Sequence, residues 1–257
     1  MNDKEYDALP GIRRSDLWKM NKTPMHFKYA VDNPQPATES LLFGQAAHKY
    51  ILEHDSFFDE FAVFPVVDRR TKLGRELIEQ FKDSNKNKSW IDHDDFEKIV
   101  EMRDALMANQ AIADILNGEI RTEVPFYWTD EETGEICKVK ADIVGTYFGK
   151  PTVFDYKTTT SCADGAFERD SRKYGYSFQT GFYTSGIDKC TFEKHGFVFI
   201  AQEKEPPYAA RIYECDEGFL NAGKRKFRTL LKMYHECKQN NEWNGYQNET
   251  LYAEAYE

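Results

Sequence analysis

The spacing of apolar positions divides the chain into helical and extended stretches. Ser15 to Met20 and Thr23 to Val31 predict two short helices, the second opened by a threonine cap with Pro24 at the first helical position. The proline-bearing polar run 32–38 breaks the pattern. Ser40 to Glu53 then predicts a helix with Leu41, Phe43, Ala47 and Ile51 available for packing. Phe61 to Val67 reads as a strand. Thr71 to Phe81 reads as an amphipathic helix through Leu73, Leu77, Ile78 and Phe81, and Lys82 to Ser89 as a polar loop. Asp94 to Asn117 predicts one long helix ended by Gly118.

Strands follow. Thr122 to Thr129 and Cys137 to Phe148 flank a polar hairpin turn at 130–134, and Pro151 to Thr158 is a third strand. Phe167 to Ile187 predicts one helix, weakened by Gly175 and Gly181. Phe192 to Gln202 and Tyr208 to Glu214 form another pair of strands around Pro206 and Pro207, and Asp216 to Asn240 predicts a long closing helix. From Asn241 the chain reads as irregular. No internal repeat or low-complexity linker interrupts this order. It predicts an α+β fold, three-layer and α/β/α-like, with a central mixed β-sheet flanked by helices. A single domain is expected over 1–257: a mainly helical part at 1–118, a sheet core at 119–215, and a C-terminal helix and tail at 216–257.

Composition fits this picture. Nineteen Phe, 15 Tyr and 4 Trp supply a substantial core. No apolar run approaches the roughly 18–20 residues of a membrane span. The opening Met-Asn-Asp-Lys-Glu-Tyr lacks the layout of a signal peptide, so a cytoplasmic protein is expected. The five cysteines, at 137, 162, 190, 215 and 237, are odd in number and form no CxxC pair, which argues for reduced thiols rather than zinc or disulfides. The net charge of −10 argues against loose coating of nucleic acid. A local basic channel remains compatible with it. Candidate basic clusters are Asp68-Arg69-Arg70-Thr71-Lys72 with Arg75, and Lys224-Arg225-Lys226 with Arg228; ordinary solvated helix faces are the competing reading.

The densest chemistry lies between Lys140 and Thr158. Lys-Ala-Asp142-Ile-Val and Val-Phe-Asp155-Tyr-Lys157-Thr each set an acid inside an apolar, β-type run. Alternation along a strand points Asp155 and Lys157 one way, and Phe154 and Tyr156 toward a core. A hairpin partner carrying Asp142 would set a second carboxylate beside Asp155. Two carboxylates and an ammonium on one sheet face make a site for a hard divalent cation and a water, the chemistry of phosphodiester hydrolysis. Acids in such surroundings are costly unless they meet a metal or a cation, so the competing reading is a buried Asp155–Lys157 or Asp142–Lys140 ion pair. Glu123 opens the preceding strand and offers a third carboxylate. His48 lies on a predicted helix four residues after Gly44, whose bare backbone would let another element approach. Gln179 and Tyr183, four apart, share a helix face.

In chain order these are Gly-x-x-x-His, Asp, Asp-x-Lys and Gln-x-x-x-Tyr. That order resembles the PD-(D/E)xK nuclease superfamily, in its His-containing RecB-like exonuclease branch. Ser15-Asp-Leu17-Trp18 followed by Pro24-Met-His-Phe27-Lys-Tyr29 is similar to the opening of that branch. Within it, the chain most resembles the exonuclease VIII (RecE) family of phage and prophage recombination enzymes. The resemblance runs from about Ser15 to about Ile200. One departure is that the first acid sits in Lys-Ala-Asp rather than after a proline. The lack of a cysteine cluster separates the chain from the iron–sulfur members.

The resemblance implies a restriction-endonuclease-like core with an N-terminal helical elaboration. It implies Asp142 and Asp155 as metal ligands, with the main-chain carbonyl of Tyr156 and with Glu123 as further ligands. Lys157 would orient the attacking water, His48 would ligate metal or contact the scissile phosphate, and Gln179 and Tyr183 would hold the DNA backbone or the lysine. The implied cofactor is Mg²⁺, one or two ions, with Mn²⁺ as a substitute. The implied activity is a 5′→3′ exonuclease on double-stranded DNA ends, leaving a 3′ strand for a RecT-like annealing protein. A homo-oligomeric ring, trimer or tetramer, is implied as well. Rival readings are an endonuclease on the same fold, a non-catalytic DNA-binding accessory module, and a glycoside hydrolase with paired carboxylates.

Overall fold

The computed structural model describes residues 3–68 and 70–246; Arg69 of the first basic cluster and the acidic tail 249–257 lie outside the described residues. Eight helices precede the main sheet or border it: α1 (Asp3–Ala8), α2 (Arg14–Lys19), α3 (Pro24–Asp32), α4 (Glu39–Leu52), α5 (Phe57–Glu60), α6 (Lys72–Ser84), α7 (His93–Ala108) and α8 (Gln110–Leu116). Two short strands, β1 (Phe61–Val63) and β2 (Ser89–Ile91), pair in parallel on either side of α6. Then come β3 (Arg121–Thr129), β4 (Ile136–Tyr147), β5 (Lys150–Thr159), α9 (Ala166–Tyr174), α10 (Tyr176–Thr191), β6 (Gly196–Glu203), β7 (Ala210–Glu214) and α11 (Glu217–Asn240).

The sheet runs β3-β4-β5-β6-β7, antiparallel except where β5 meets β6 in parallel. It is therefore mixed, and helices cover both faces. Val153, Phe197, Phe199 and Ala201 join one core with Leu17, Phe27, Phe182 and Phe227 from α2, α3, α10 and α11. Phe154, Tyr156, Val198 and Ile200 join the other, with Phe43 and Ile51 of α4 and Ile99, Met102 and Leu106 of α7. Period-2 alternation through β5 and β6 feeds both layers. Both cores mix aromatic with aliphatic side chains, and seven phenylalanines are fully buried.

Local chemistry sets the element ends. Thr23, Thr38, Thr71 and Asp216 each accept a backbone N–H at the start of a helix. The predicted helix over 94–117 is two helices, because Asn109 leaves the helical path and caps α8 with its own side chain. The predicted helix over 167–187 is also two, broken at Gly175, whose φ of 67° lies in the left-handed region. Gly181 has a different use. A Cβ there would overlap the backbone of Gly223, so these two glycines let α10 and α11 cross in backbone contact. The predicted strand 61–67 is only three residues long. The predicted loop 82–89 shrinks to a turn at 85–88, between the end of α6 and β2. Leu73 stays 65% exposed, so the apolar side of α6 is only partly covered.

The β4–β5 ladder ends at Ile143–Phe154, and the strands then part. Beyond that point the β5 side of β4 is taken by the N-terminal segment. Ile12 lies parallel to Cys137, its N–H donating to Ile136 O at 2.8 Å and its carbonyl accepting from Lys138 N at 3.0 Å. The buried Lys138 ammonium donates to the carbonyls of Tyr6, Asp7 and Leu9, which fixes that segment in place. No helix among the described residues is long and apolar enough to cross a membrane.

Candidate active site

The fork between β4 and β5 holds the predicted acids. Asp142 and Asp155 are the first residues past the last paired rung, Ile143–Phe154. A parting ladder leaves backbone donors without strand partners. Here the Tyr156 N–H is met by a side chain, donating to Asp142 Oδ2 at 3.0 Å. On the other side of β4 the pairing with β3 skips Glu123 and Asp142, although the same register resumes on both sides. Glu123 has φ of 51°, a left-handed conformation that costs energy for a non-glycine residue. The side-chain alternation of β4 switches at this step. Val139 and Ala141 face one core and Ile143 the other.

His48, on α4, bridges the two acids. Its Nδ1 lies 3.2 Å from Glu123 Oε1 and its Nε2 lies 2.8 Å from Asp142 Oδ2. Ligand atoms of His48, Glu123 and Asp142 all fall within 4.8 Å of one another, a spacing that suits a cation. Asp155 is outside that group because it belongs to the other arm of the fork. It pairs with Lys157 and accepts from the Gln179 amide of α10. Lys140 pairs with Glu123.

Electrostatics follow from the crowding of acids. Burial opposes charge on His48, but the Asp142 carboxylate, its hydrogen bond and Glu123 outweigh burial and lift the imidazole to about 9. Burial, then Asp142, pushes Asp155 up to about 6 against the pull of Lys157. Asp142 is also buried, yet the His48 and Lys157 cations hold it below the ordinary value. Burial raises Glu123. Glu123 Oε1 and Asp155 Oδ2 are buried without a hydrogen bond, although each has a cationic group within ion-pair reach. Two buried carboxylate oxygens without a hydrogen bond, with the His48 imidazole of α4 beside Glu123 and Asp142, are a donor set that fits a hard divalent ion.

Two cavities meet at the fork. One, of about 580 Å³, lies under α4 and is lined by Gln45, Glu53, Glu60, Phe61 and Glu123 among others. The second, of about 360 Å³, lies against α2 and α10 and is lined by Asp155, Gln179, Tyr183, Arg13, Arg14 and Lys138. His48, Lys140, Asp142, Tyr156 and Lys157 line both. The expectation of one shared sheet face is therefore replaced by a site that passes through the sheet where its ladder opens.

All eight predicted residues converge here: His48, Glu123, Asp142, Asp155, Tyr156, Lys157, Gln179 and Tyr183. Gln179 and Tyr183 share a face as expected, and Gln179 bonds the acid rather than the lysine. The expected ion pair of Asp155 with Lys157 is formed as well, so the two readings of that motif describe one arrangement. Gly44 plays a smaller part than its position suggested: a Cβ there would meet Thr158 Oγ1 at 3.7 Å, an ordinary contact. Among the described residues, neither basic cluster lines these cavities. Lys224 and Arg228 are engaged by Asp188, Asp130 and Glu132, and Arg70 and Lys72 are solvated. The cations at the site come instead from the Arg13-Arg14 pair and from Lys138, Lys140 and Lys157 on the strands. Arg14 is the one sequence reasoning missed most clearly. It lies over the Trp18 and Phe178 rings and donates to the carbonyls of Tyr174 and Gly175, which holds the break before α10 and so the start of the helix carrying Gln179. Its only sequence signal is its place just before Ser15-Asp-Leu17.

Comparisons with known proteins bear on the fold and the family. A crystal structure of a “Putative exonuclease” from Eubacterium rectale aligns with 100% of this chain and 96% of its own, at 15% identity and a TM-score of 0.66, which shows a shared fold. A second structure, SSO0001, aligns over 83% of this chain and 84% of its own at 13% identity and a TM-score of 0.30, too low to bear on the fold. No curated protein matches the chain. The family model described as “PDDEXK-like domain of unknown function (DUF3799)” matches residues 14–255, from the start of α2 past the end of α11. That match spans nearly the whole chain, and the chain belongs to these PDDEXK-like domains.

Proposed function

We propose that this protein is a Mg²⁺-dependent deoxyribonuclease that degrades linear double-stranded DNA from its ends, 5′→3′, leaving 3′ single strands. The observation that carries the reading is the convergence of His48, Glu123 and Asp142 with the Asp155–Lys157 pair at one opening in the sheet. His48, Glu123 and Asp142 would hold the ion, with Asp155 and the Tyr156 carbonyl completing the set. Bound there, Mg²⁺, or Mn²⁺ in its place, withdraws charge from phosphoryl oxygens and lowers the pKa of water.

The chain's own groups do the rest. The Lys157 ammonium sits beside Asp155 at the meeting of the two cavities. There it orients the attacking water and meets negative charge as it builds on the phosphoryl oxygens. Gln179 keeps the Asp155 carboxylate turned toward the site. Tyr183, in the wall of the smaller cavity, would touch the DNA backbone. Arg13, Arg14, Lys138, Lys140 and Lys157 concentrate positive charge at a site on a chain whose net charge is −10. A phosphate chain entering the fork would meet these cations.

The name of the Eubacterium rectale neighbour is consistent with end-directed cleavage. The reading extends to a RecT-like annealing protein that takes the 3′ strand, to a homo-oligomeric ring that encloses DNA, and to a cytoplasmic setting. The deciding experiment is digestion of matched linear and covalently closed duplexes, with Mg²⁺ or with chelator, beside Asp155→Asn. Loss of the linear form alone, dependent on metal and on Asp155, is the expected result. Cutting of the closed circle would replace the reading with an endonuclease. No digestion of either would leave a DNA-binding module.

A further inference from the structure

Tyr156 separates the acid and the lysine of the Asp155-x-Lys157 motif, and its two ends face different surroundings. Its N–H supports Asp142 Oδ2 at the fork, at 3.0 Å. Its ring runs inward beneath α4, with its centroid 6.3 Å from that of His48. The hydroxyl ends in the protein interior and donates to Gln202 Oε1 at 2.7 Å. Gln202, on β6, has no exposure at all. Its amide nitrogen donates to the Met102 carbonyl of α7 at 2.7 Å and to the Tyr208 carbonyl at 3.2 Å.

The Gln202 amide is therefore satisfied at both ends. A flipped amide would set its oxygen against two carbonyls, so only one orientation fits. A fully bonded buried network of this kind is rigid. It runs from α7 through Gln202 to the Tyr156 hydroxyl, and so to the peptide that supports Asp142. We propose that Gln202 is a positioning residue for the metal centre: through the Tyr156 side chain it fixes the peptide that orients the Asp142 carboxylate. The inference rests on the metal-centre reading above and adds to it the device that sets the geometry of one ligand. Outer partners of metal ligands commonly govern affinity in this way.

A residue with a packing role alone would lower stability and leave ion affinity unchanged, and a control separates the two. The Tyr208 hydroxyl donates to Glu101 Oε2 at 2.7 Å in the same region, whereas Gln202 uses only the Tyr208 carbonyl. Tyr208→Phe thus removes a neighbouring hydroxyl without touching the network. Mn²⁺ is titrated into the full chain by calorimetry for wild type, Tyr156→Phe, Gln202→Met and Tyr208→Phe, with thermal midpoints measured in parallel. Tyr156→Phe and Gln202→Met are expected to weaken Mn²⁺ binding by about tenfold or more, and Tyr208→Phe to leave it unchanged. If one variant does not fold, the other gives the answer. Binding within twofold of wild type in a folded Tyr156→Phe or Gln202→Met protein would overturn the proposal alone. A wild-type chain that binds no Mn²⁺ would overturn the metal-centre reading first and this inference with it.

Discussion

Asp155→Asn should make the ion-free protein more stable while abolishing hydrolysis. Asp155 is 1% exposed, lies near a second carboxylate, and is pushed up to about 6 from an ordinary value of 3.8. A folded-state value above the unfolded one means that the fold favours the protonated acid. The associated stability is fully present below about pH 4 and is lost as pH rises through about 6. At pH 8 the ionised carboxylate then costs the fold roughly 3 kcal/mol, from the gap between 3.8 and about 6. Asparagine keeps an oxygen for the Gln179 amide and carries no charge, while Lys157, partly exposed, can turn to solvent. For a domain of this size, the gain corresponds to roughly 6–12 °C in the thermal midpoint. The assay is thermal unfolding in chelator from pH 4 to 8. Wild type should lose stability across that window relative to the variant, and the two should converge near pH 4. Added Mg²⁺ should raise wild type more than the variant, because the ion binds the ionised site. A variant no more stable than wild type at pH 8 in chelator would refute the claim that ionised Asp155 is held at a cost.

Three further outcomes are expected. Lys157→Ala should bind Mn²⁺ as wild type does and cleave end-labelled duplex about 10²–10⁴-fold more slowly in single-turnover assays, and an unchanged rate would remove the lysine from the chemistry. His48→Ala should weaken Mn²⁺ binding at least about tenfold by calorimetry. It should also lower the thermal midpoint in chelator, since Glu123 and Asp142 lose the group between them; unchanged affinity would make His48 a core histidine. Gly181→Ala forces a Cβ into the Gly223 backbone and should cost roughly 1–3 kcal/mol in denaturant unfolding, a midpoint equal to wild type showing that α10 and α11 separate freely.

Much of this molecule is legible in its sequence, for physical reasons that differ by element. The strands β3, β4 and β5 read clearly because alternation and a polar turn are local signals. Asp142, Asp155 and Lys157 stand out because acids inside apolar runs need a partner. Breaks inside helices are harder to place. Asn109 and Gly175 interrupt runs whose apolar spacing continues across them, and only the backbone shows that each ends one helix and begins the next. Of the parallel pair β1–β2, only β1 shows in the sequence, inside the strand read over 61–67; β2 and the pairing leave no local trace, because the two three-residue strands are separated by a whole helix. The site's shape was hidden for the same reason. A ladder that stops at Ile143–Phe154 is a property of two strands together, and so is the left-handed turn that brings Glu123 to His48. Arg14 gave almost no signal, since a cation at the first turn of a short helix looks like solvent decoration.

The slot that Ile12 fills has a consequence for how the protein is made. Residue 12 is synthesised 125 positions ahead of Cys137, so its seat on β4 does not exist for roughly 6–25 s of translation. Until the two meet, the nascent chain carries a short extended segment in search of an edge, and afterwards β4 presents the edge that the segment must reach first. A chain shortened to begin at Arg14 would keep every acid of the fork and expose that edge permanently. Bare strand edges recruit other chains. The segment 3–12 thus covers an edge that would otherwise invite self-association, and its loss should be felt as aggregation during expression before it is felt in any measurement of binding or cleavage.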